Sequence, residues 1–227
     1  MNRGPISEVR YRTASEHAYR VLKQWILDGQ LAPGSAIDQA DVSARLGISR
    51  MPVRTALERL DSEGLVLLTP HRGAIVAPTS VREMRELYFV RRHLEGLATE
   101  LAAQGLSDAQ LDELVRILDL TEQQVRVGDL DGFLASNRAF HMAIYAGANN
   151  AVLRRVIESL WDLGERYRRA YLQLPERADE STAEHRRIYE LLRSRRAREA
   201  RAFMEEHNDK TMRVLIERFE RDSGKLA

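Results

Sequence analysis

The chain has 227 residues, 44% of them hydrophobic and 30% charged, with six histidines, no cysteine and a net charge of +1. That length holds two ordinary domains, that composition excludes a disordered or fibrous chain, and the lack of cysteine excludes disulfides, thiolate metal sites and thiol nucleophiles. No apolar run approaches the roughly 18 residues of a membrane span and no signal-peptide core follows the first residues, so the sequence predicts a cytoplasmic protein without membrane contact.

Residues 1–14 are polar and lack helical periodicity, which predicts a flexible arm. From Glu16 to about Gly29 the apolar positions Ala18, Val21, Leu22, Trp25 and Ile26 recur at three- and four-residue spacing and share one helical face. A Pro33-Gly34 turn, a short helix through Val42 and Leu46, a break at Gly47 and a longer helix opening at Ser49 follow. In that second helix Val53, Ala56, Leu57 and Leu60 form the expected buried stripe, and Arg54, Thr55 and Glu58 lie off it. Leu65 to Leu68 and Ala74 to Ala77 read as two short strands joined by a turn, a wing.

After Pro78 the pattern is helical throughout, with boundaries at Gly105, Gly128, Ala146 to Asn150, Leu174-Pro175 and about Ser194. Six helices with short connections predict an antiparallel bundle. The fold expected is therefore mainly α, a winged helix-turn-helix at 15–78 followed by an all-helical bundle at 79–222, with 223–227 as a tail.

Bulk charge does not announce a nucleic-acid partner. Up to Pro78 there are ten Lys/Arg against eight Asp/Glu, and beyond it 25 against 26. Local placement has to carry any phosphate affinity. Ser49 is a favourable N-cap, Pro52 is tolerated in a first helical turn, and Arg50 and Arg54 can offer paired donors to guanine or clamp phosphates. An ordinary solvated helix face is the competing reading of those two arginines. Their position after a helix-turn-helix spacing, and before a wing tip carrying His71 and Arg72, favours DNA.

The stretches Leu27 to Gly34, Leu46 to Leu57 and Leu60 to Val66 resemble the GntR family of bacterial transcription regulators across nearly the whole first domain. The resemblance implies that Ser49, Arg50, Met51, Arg54 and Thr55 enter the major groove of an operator. It also implies that His71, Arg72 and Gly73 form a wing tip that approaches the minor groove. Gln39 and Ala40 depart from residues many members carry, so the operator sequence does not transfer.

In the bundle, Asn137 and His141 share a helical face, and His185 and His207 stand on two later helices. Arg91 lies within the apolar stripe Leu87, Arg91, Leu94 and Ala98, so its guanidinium is expected to face inward and to need an anion, either Glu95 at i,i+4 or a bound carboxylate. Arg91-Arg92-His93-Leu94-Glu95, Asn137 to His141, Glu184-His185 and His207 resemble the FCD effector domain of the FadR-like branch, in its six-helix, VanR-like form. The resemblance implies that Asn137, His141, His185 and His207 converge on one divalent ion, Zn, Ni, Mn or Fe, and that Arg91 helps hold an organic acid. His17, His71 and His93 match no ligand position, and Trp161, Tyr167 and Tyr171 read as core, cavity lining or dimer contact.

Together these readings predict a homodimeric, ligand-responsive regulator that represses from a double-stranded operator until a small carboxylate binds. Two competitors stand beside it. One is a helical metalloenzyme using the histidines, against which the sequence offers no HExxH and no carboxylate pair placed as a base. The other is a metal-free dimerisation module on a DNA-binding head.

Overall fold

The computed structural model describes residues 13–69, 73–171 and 175–223. The chain divides into two compact units at Pro78–Thr79.

The first unit contains α1 (Ala14–Leu27), β1 (Ala36–Ile37), α2 (Gln39–Leu46), α3 (Arg50–Ser62), β2 (Val66–Thr69) and β3 (Gly73–Val76). Thr13 caps α1 by accepting from the Glu16 amide, and Asp38 caps α2 through the amides of Ala40 and Asp41. Gly47 ends α2 at φ +64°, a left-handed conformation that costs glycine nothing and other residues strain, and the chain thereby turns into α3. Val53, Ala56, Leu57 and Leu60 are buried as their spacing predicts, and α3 packs on α1.

Two expectations change in this unit. Trp25 is only half-buried, with the Arg45 guanidinium 4.0 Å from its ring, and Tyr19 takes a buried place on α1. The Tyr19 hydroxyl donates to Glu63 at 2.8 Å across the α1–α3 contact. The wing is also a three-stranded sheet of order β1-β3-β2, in which Ala36 and Ile37 pair antiparallel with Ile75 and Ala74. Two residues are too short a run to show alternation, so β1 carries no pattern of its own.

The second unit is the six-helix series α4 (Val81–Gly105), α5 (Asp108–Val127), α6 (Leu130–Gly147), α7 (Ala151–Tyr171), α8 (Pro175–Arg193) and α9 (Ala197–Ser223). Ser80, Ser107 and Asp129 cap α4, α5 and α6, and Ser107 with Gln110 forms a reciprocal capping box. The long helix α4 packs most extensively on α9 and also touches α6, α7 and α8. Two apolar clusters fill the unit, one around Phe140, Tyr145, Trp161 and Met204, the other around Met84, Tyr88, Phe133 and Tyr167. A small cavity is lined by Trp161 from the first cluster and by Tyr88 and Phe133 from the second.

Candidate functional site

The exposed side of α3 and its lead-in is polar and continuous. Ser49, Arg50, Met51, Arg54, Thr55 and Glu58 are all exposed, because the opposite face is consumed by the buried stripe. Ser49 occupies the N-cap position with extended backbone, but its hydroxyl makes no capping hydrogen bond. The N-cap position is the one expected from sequence, but the capping hydrogen bond is not made, and the exposed Ser49 side chain is left uncommitted at the helix start. Arg54 donates through Nε to Glu58 at 3.0 Å, and both side chains remain exposed. Met51 is 68% exposed, an apolar group on a polar face, as suits contact with a thymine methyl. Gly73 opens β3 at φ +85°, and a Cβ added there would meet nothing within 4 Å, so its conformation rather than crowding demands glycine. His71 and Arg72 lie outside the described residues.

In the bundle, three histidines from three helices meet. The ring centroids of His141 on α6, His185 on α8 and His207 on α9 stand 4.9, 5.3 and 5.0 Å apart, a nearly equilateral triangle. One ligand atom from each lies within 4.8 Å of the others, and the Nε2 atoms of His141 and His185 are 3.2 Å apart. All three side chains are buried.

Their protonation follows from their neighbours. Glu184 on α8 accepts from His207 Nδ1 at 2.6 Å. Burial works to raise the Glu184 pKa, but hydrogen bonds from His207 and Arg177 outweigh it and hold this carboxylate well below the usual range. Burial lowers the His207 pKa against the pull of Glu184, so the ring is neutral, donates from Nδ1 and keeps its Nε2 lone pair. On the other side, the Tyr145 hydroxyl makes a very short hydrogen bond to Glu95 Oε2 and lies 3.0 Å from His141 Nδ1. Burial and Glu95 push the Tyr145 pKa well up. Its one proton therefore goes to Glu95, its oxygen accepts from His141 Nδ1, and His141 also keeps its lone pair on Nε2.

Two imidazoles presenting Nε2 lone pairs, His207 steered directly by Glu184 and His141 by Tyr145 with Glu95 behind it, are what a divalent ion requires. A tetrahedral ion at about 2.05 Å from each nitrogen separates its ligands by about 3.3 Å, so the His141–His185 spacing already suits one and a modest inward shift of His207 completes the set. Asn137, one turn before His141, is buried and lines the same cavity. The residues present fit such an ion.

Arg91 also lines that cavity. Its Nε donates to Glu95 Oε1 at 2.6 Å, and both side chains are almost wholly buried. Burial works against its charge, and Glu95 more than offsets the effect, so the guanidinium stays protonated. Arg177 on α8, which sequence reasoning passed over, is a second buried guanidinium on the cavity wall, bound to both oxygens of Glu184 and to Thr211. Tyr88 and Asn208 were passed over as well. Tyr88 falls on the same stripe as Leu87 and Arg91, which was its one sequence signal. Trp161 proves to be cavity lining, Tyr167 is core and bonds to Glu83, and the side chain of Tyr171 lies outside those described.

A winged helix-turn-helix followed in the chain by a helical bundle with a buried histidine centre defines a class, the one-chain transcription regulator with a DNA-binding head and an effector domain. Family models place it further. Residues 14–76 match the bacterial regulatory proteins of the gntR family and residues 86–210 match the FCD domain. The chain belongs to the GntR family of bacterial transcription regulators and carries an FCD effector domain. It is 28% identical over 190 residues to the uncharacterised HTH-type regulator YdhC of Bacillus subtilis (strain 168), covering 83% of this chain and 85% of that one. To the HTH-type regulator McbR of Escherichia coli (strain K12) it is 34% identical over 140 residues, 62% of this chain and 63% of McbR. To the HTH-type repressor GlaR of the same organism it is 30% identical over 164 residues, 68% of this chain and 72% of GlaR. The solved structure of E. coli McbR/YncC superposes with a TM-score of 0.81 at 25% identity, covering 92% of this chain and all of that one. These relatives are transcription regulators, not enzymes. Among the described residues no helix is long and apolar enough to cross a membrane.

Proposed function

We propose that this protein is a cytoplasmic, homodimeric repressor whose FCD bundle holds a divalent ion on Asn137, His141, His185 and His207 and releases the operator when a small organic acid binds beside Arg91. The observation that carries the reading is the convergence of three buried histidines, two of which, His141 and His207, also line the cavity that contains buried Arg91. The ion, when present, supplies a Lewis-acidic anchor for a carboxylate. Glu184 and the Glu95–Tyr145 pair hold the histidines in their ligating tautomer, and Arg91 supplies a fixed positive charge. Repression is supported by relatives such as RspR and GlaR of E. coli, which bear the name repressor.

Ser49, Arg50, Met51, Arg54 and Thr55 read the major groove in this proposal, with Gly73, and with His71 and Arg72, at the wing. Dimerisation is supported by the outer side of α4, where Phe89, Val90, Leu97 and Leu101 remain exposed at helical spacing. Two heads on one dimer match two operator half-sites. An acid that prefers one state of the dimer shifts operator affinity by its differential affinity, typically about 1–3 kcal/mol.

The test is fluorescence anisotropy with the intergenic DNA upstream of the gene itself, with and without Zn²⁺ and a panel of organic acids. Arg50→Ala and Arg54→Ala should each weaken binding by at least about tenfold. Unchanged affinity in both variants, or operator binding indifferent to every acid with and without metal, would overturn the proposal.

A further inference from the structure

The environment of Arg91 contains more than its ion pair. The guanidinium carbon lies 4.6 Å from the ring centroid of Tyr88 and 4.7 Å from that of Trp161, so two aromatic rings lie against it. Its Nε edge is occupied by Glu95. Its Nη1 is buried and, among the described residues, has no hydrogen-bond partner; the same is true of the Tyr88 hydroxyl. Tyr88 is 1% exposed and Arg91 2%. Two buried polar groups without acceptors, on the wall of one cavity, are rare in a folded interior and mark a place where an acceptor binds. On α7, Gly164 faces the same spot. A Cβ at that position would stand 2.9 Å from Arg91 Nη1, so the missing side chain keeps the space beside this nitrogen open.

We propose that Arg91 Nη1 and Tyr88 Oη form a carboxylate-reading subsite with Gly164 as its floor, in which Tyr88 is the specificity-determining residue. The reading rests on the sensing function proposed above and adds the residue that selects the ligand. Glu95 occupies the Nε edge, which leaves Nη1, on the side that Gly164 keeps open, as the donor available to a ligand. A planar carboxylate can enter there, one oxygen accepting from Arg91 Nη1 and the other from the Tyr88 hydroxyl. The cavity of about 20 Å³ admits little more than one water-sized group in this conformation, which favours a carboxylate over the bulkier tetrahedral oxyanions.

Isothermal titration of the full-length, zinc-loaded protein with acetate, pyruvate, lactate and succinate, and with phosphate and sulfate, tests the subsite. Tyr88→Phe removes only the hydroxyl. At least one carboxylate should bind the wild type, Tyr88→Phe should weaken it about tenfold or more, and phosphate and sulfate should not compete. Gly164→Ala, which displaces Arg91 Nη1, should weaken the same acid. Zinc content should be unchanged in both variants. A merely structural tyrosine hydroxyl would lower the melting temperature of the acid-free protein when removed, whereas an unpartnered one leaves it equal or higher. Equal acid affinity in Tyr88→Phe, competition by sulfate or phosphate, or no binding of any acid to the wild type each overturns the subsite. The two readings fail separately. Tyr88-dependent acid binding with unchanged operator affinity overturns the sensing function alone, and operator release by an acid that Tyr88→Phe binds equally well overturns the subsite alone.

Discussion

Replacing Glu95 by leucine removes the acceptor of three buried donors at once. Arg91 Nε donates to this carboxylate at 2.6 Å and Asn208 Nδ2 at 3.1 Å, and the Tyr145 hydroxyl donates to it as well. Glu95 is fully buried, so the variant leaves a guanidinium in the interior with no counter-charge. Losing one member of a buried pair costs about 3–5 kcal/mol. At roughly 2–4 °C per kcal/mol for a chain of this size, the effector unit should melt roughly 6–20 °C lower. Arg91→Met should cost about 3 kcal/mol by the same mechanism, with the carboxylate now uncompensated. The double variant Arg91→Met/Glu95→Leu removes both charges, costs the Tyr145 hydroxyl its carboxylate acceptor and leaves Asn208 its bond to the Met204 carbonyl, so it should fall short of the summed single costs by about 2–3 kcal/mol. Differential scanning calorimetry of chelator-treated protein measures all four corners of the cycle. Additive costs, or a Glu95→Leu variant within about 1 kcal/mol of wild type, would refute the claim that this pair is coupled and buried.

Acid should destabilise the metal-free protein in two stages. His207 has its pKa lowered from 6.5 on folding, so it contributes stability that is full above 6.5 and is lost as pH falls below that value. Glu184 is held below its ordinary 4.5, so its contribution is present above 4.5 and is lost on further acidification. Urea midpoints at pH 7.5, 5.5 and 4 in EDTA should decline in that order, and His207→Asn should flatten the first step; a midpoint constant between pH 7.5 and 5.5 contradicts the assignment. Asn137→Asp should tighten zinc binding at least about tenfold in chelator competition, because a carboxylate adds charge to a site now holding a neutral amide. An unchanged affinity would place Asn137 outside the ligand set. Gly47→Ala should cost about 1 kcal/mol through its φ of +64° alone, since nothing lies within 4 Å of a Cβ there, and Gly47→Asn should cost less in the same melting assay.

Legibility differed between the two units for a physical reason. In α3 the buried positions Val53, Ala56, Leu57 and Leu60 follow from the 3.6-residue period, and the exposed Arg50, Arg54 and Thr55 follow by exclusion. A proposed DNA-reading surface built from one contiguous helix can therefore be read locally. Tyr19 and Trp25 exchanged burial because Glu63 and Arg45, remote in sequence, supply their partners. The two-residue strand β1 exists because β3 offers it a register.

The bundle site is of the other kind. The spacing of Asn137 and His141 put both on one face of a single helix, and the stripe through Leu87 and Ala98 turned Arg91 inward, so the candidates were visible residue by residue. Whether they meet was decided by tertiary packing, which brings α6, α8 and α9 together so that His141, His185 and His207 form a triangle about 5 Å on a side. The same packing selected between the anions open to Arg91. It placed Glu95 on Nε and left Nη1 and the Tyr88 hydroxyl facing a cavity, because one carboxylate cannot satisfy every donor of a guanidinium. Sequence by itself determined which faces are apolar and which polar groups those faces carry inward. Only the tertiary structure determined which of those groups, up to 113 residues apart in the Glu95–Asn208 bond, become one another's partners.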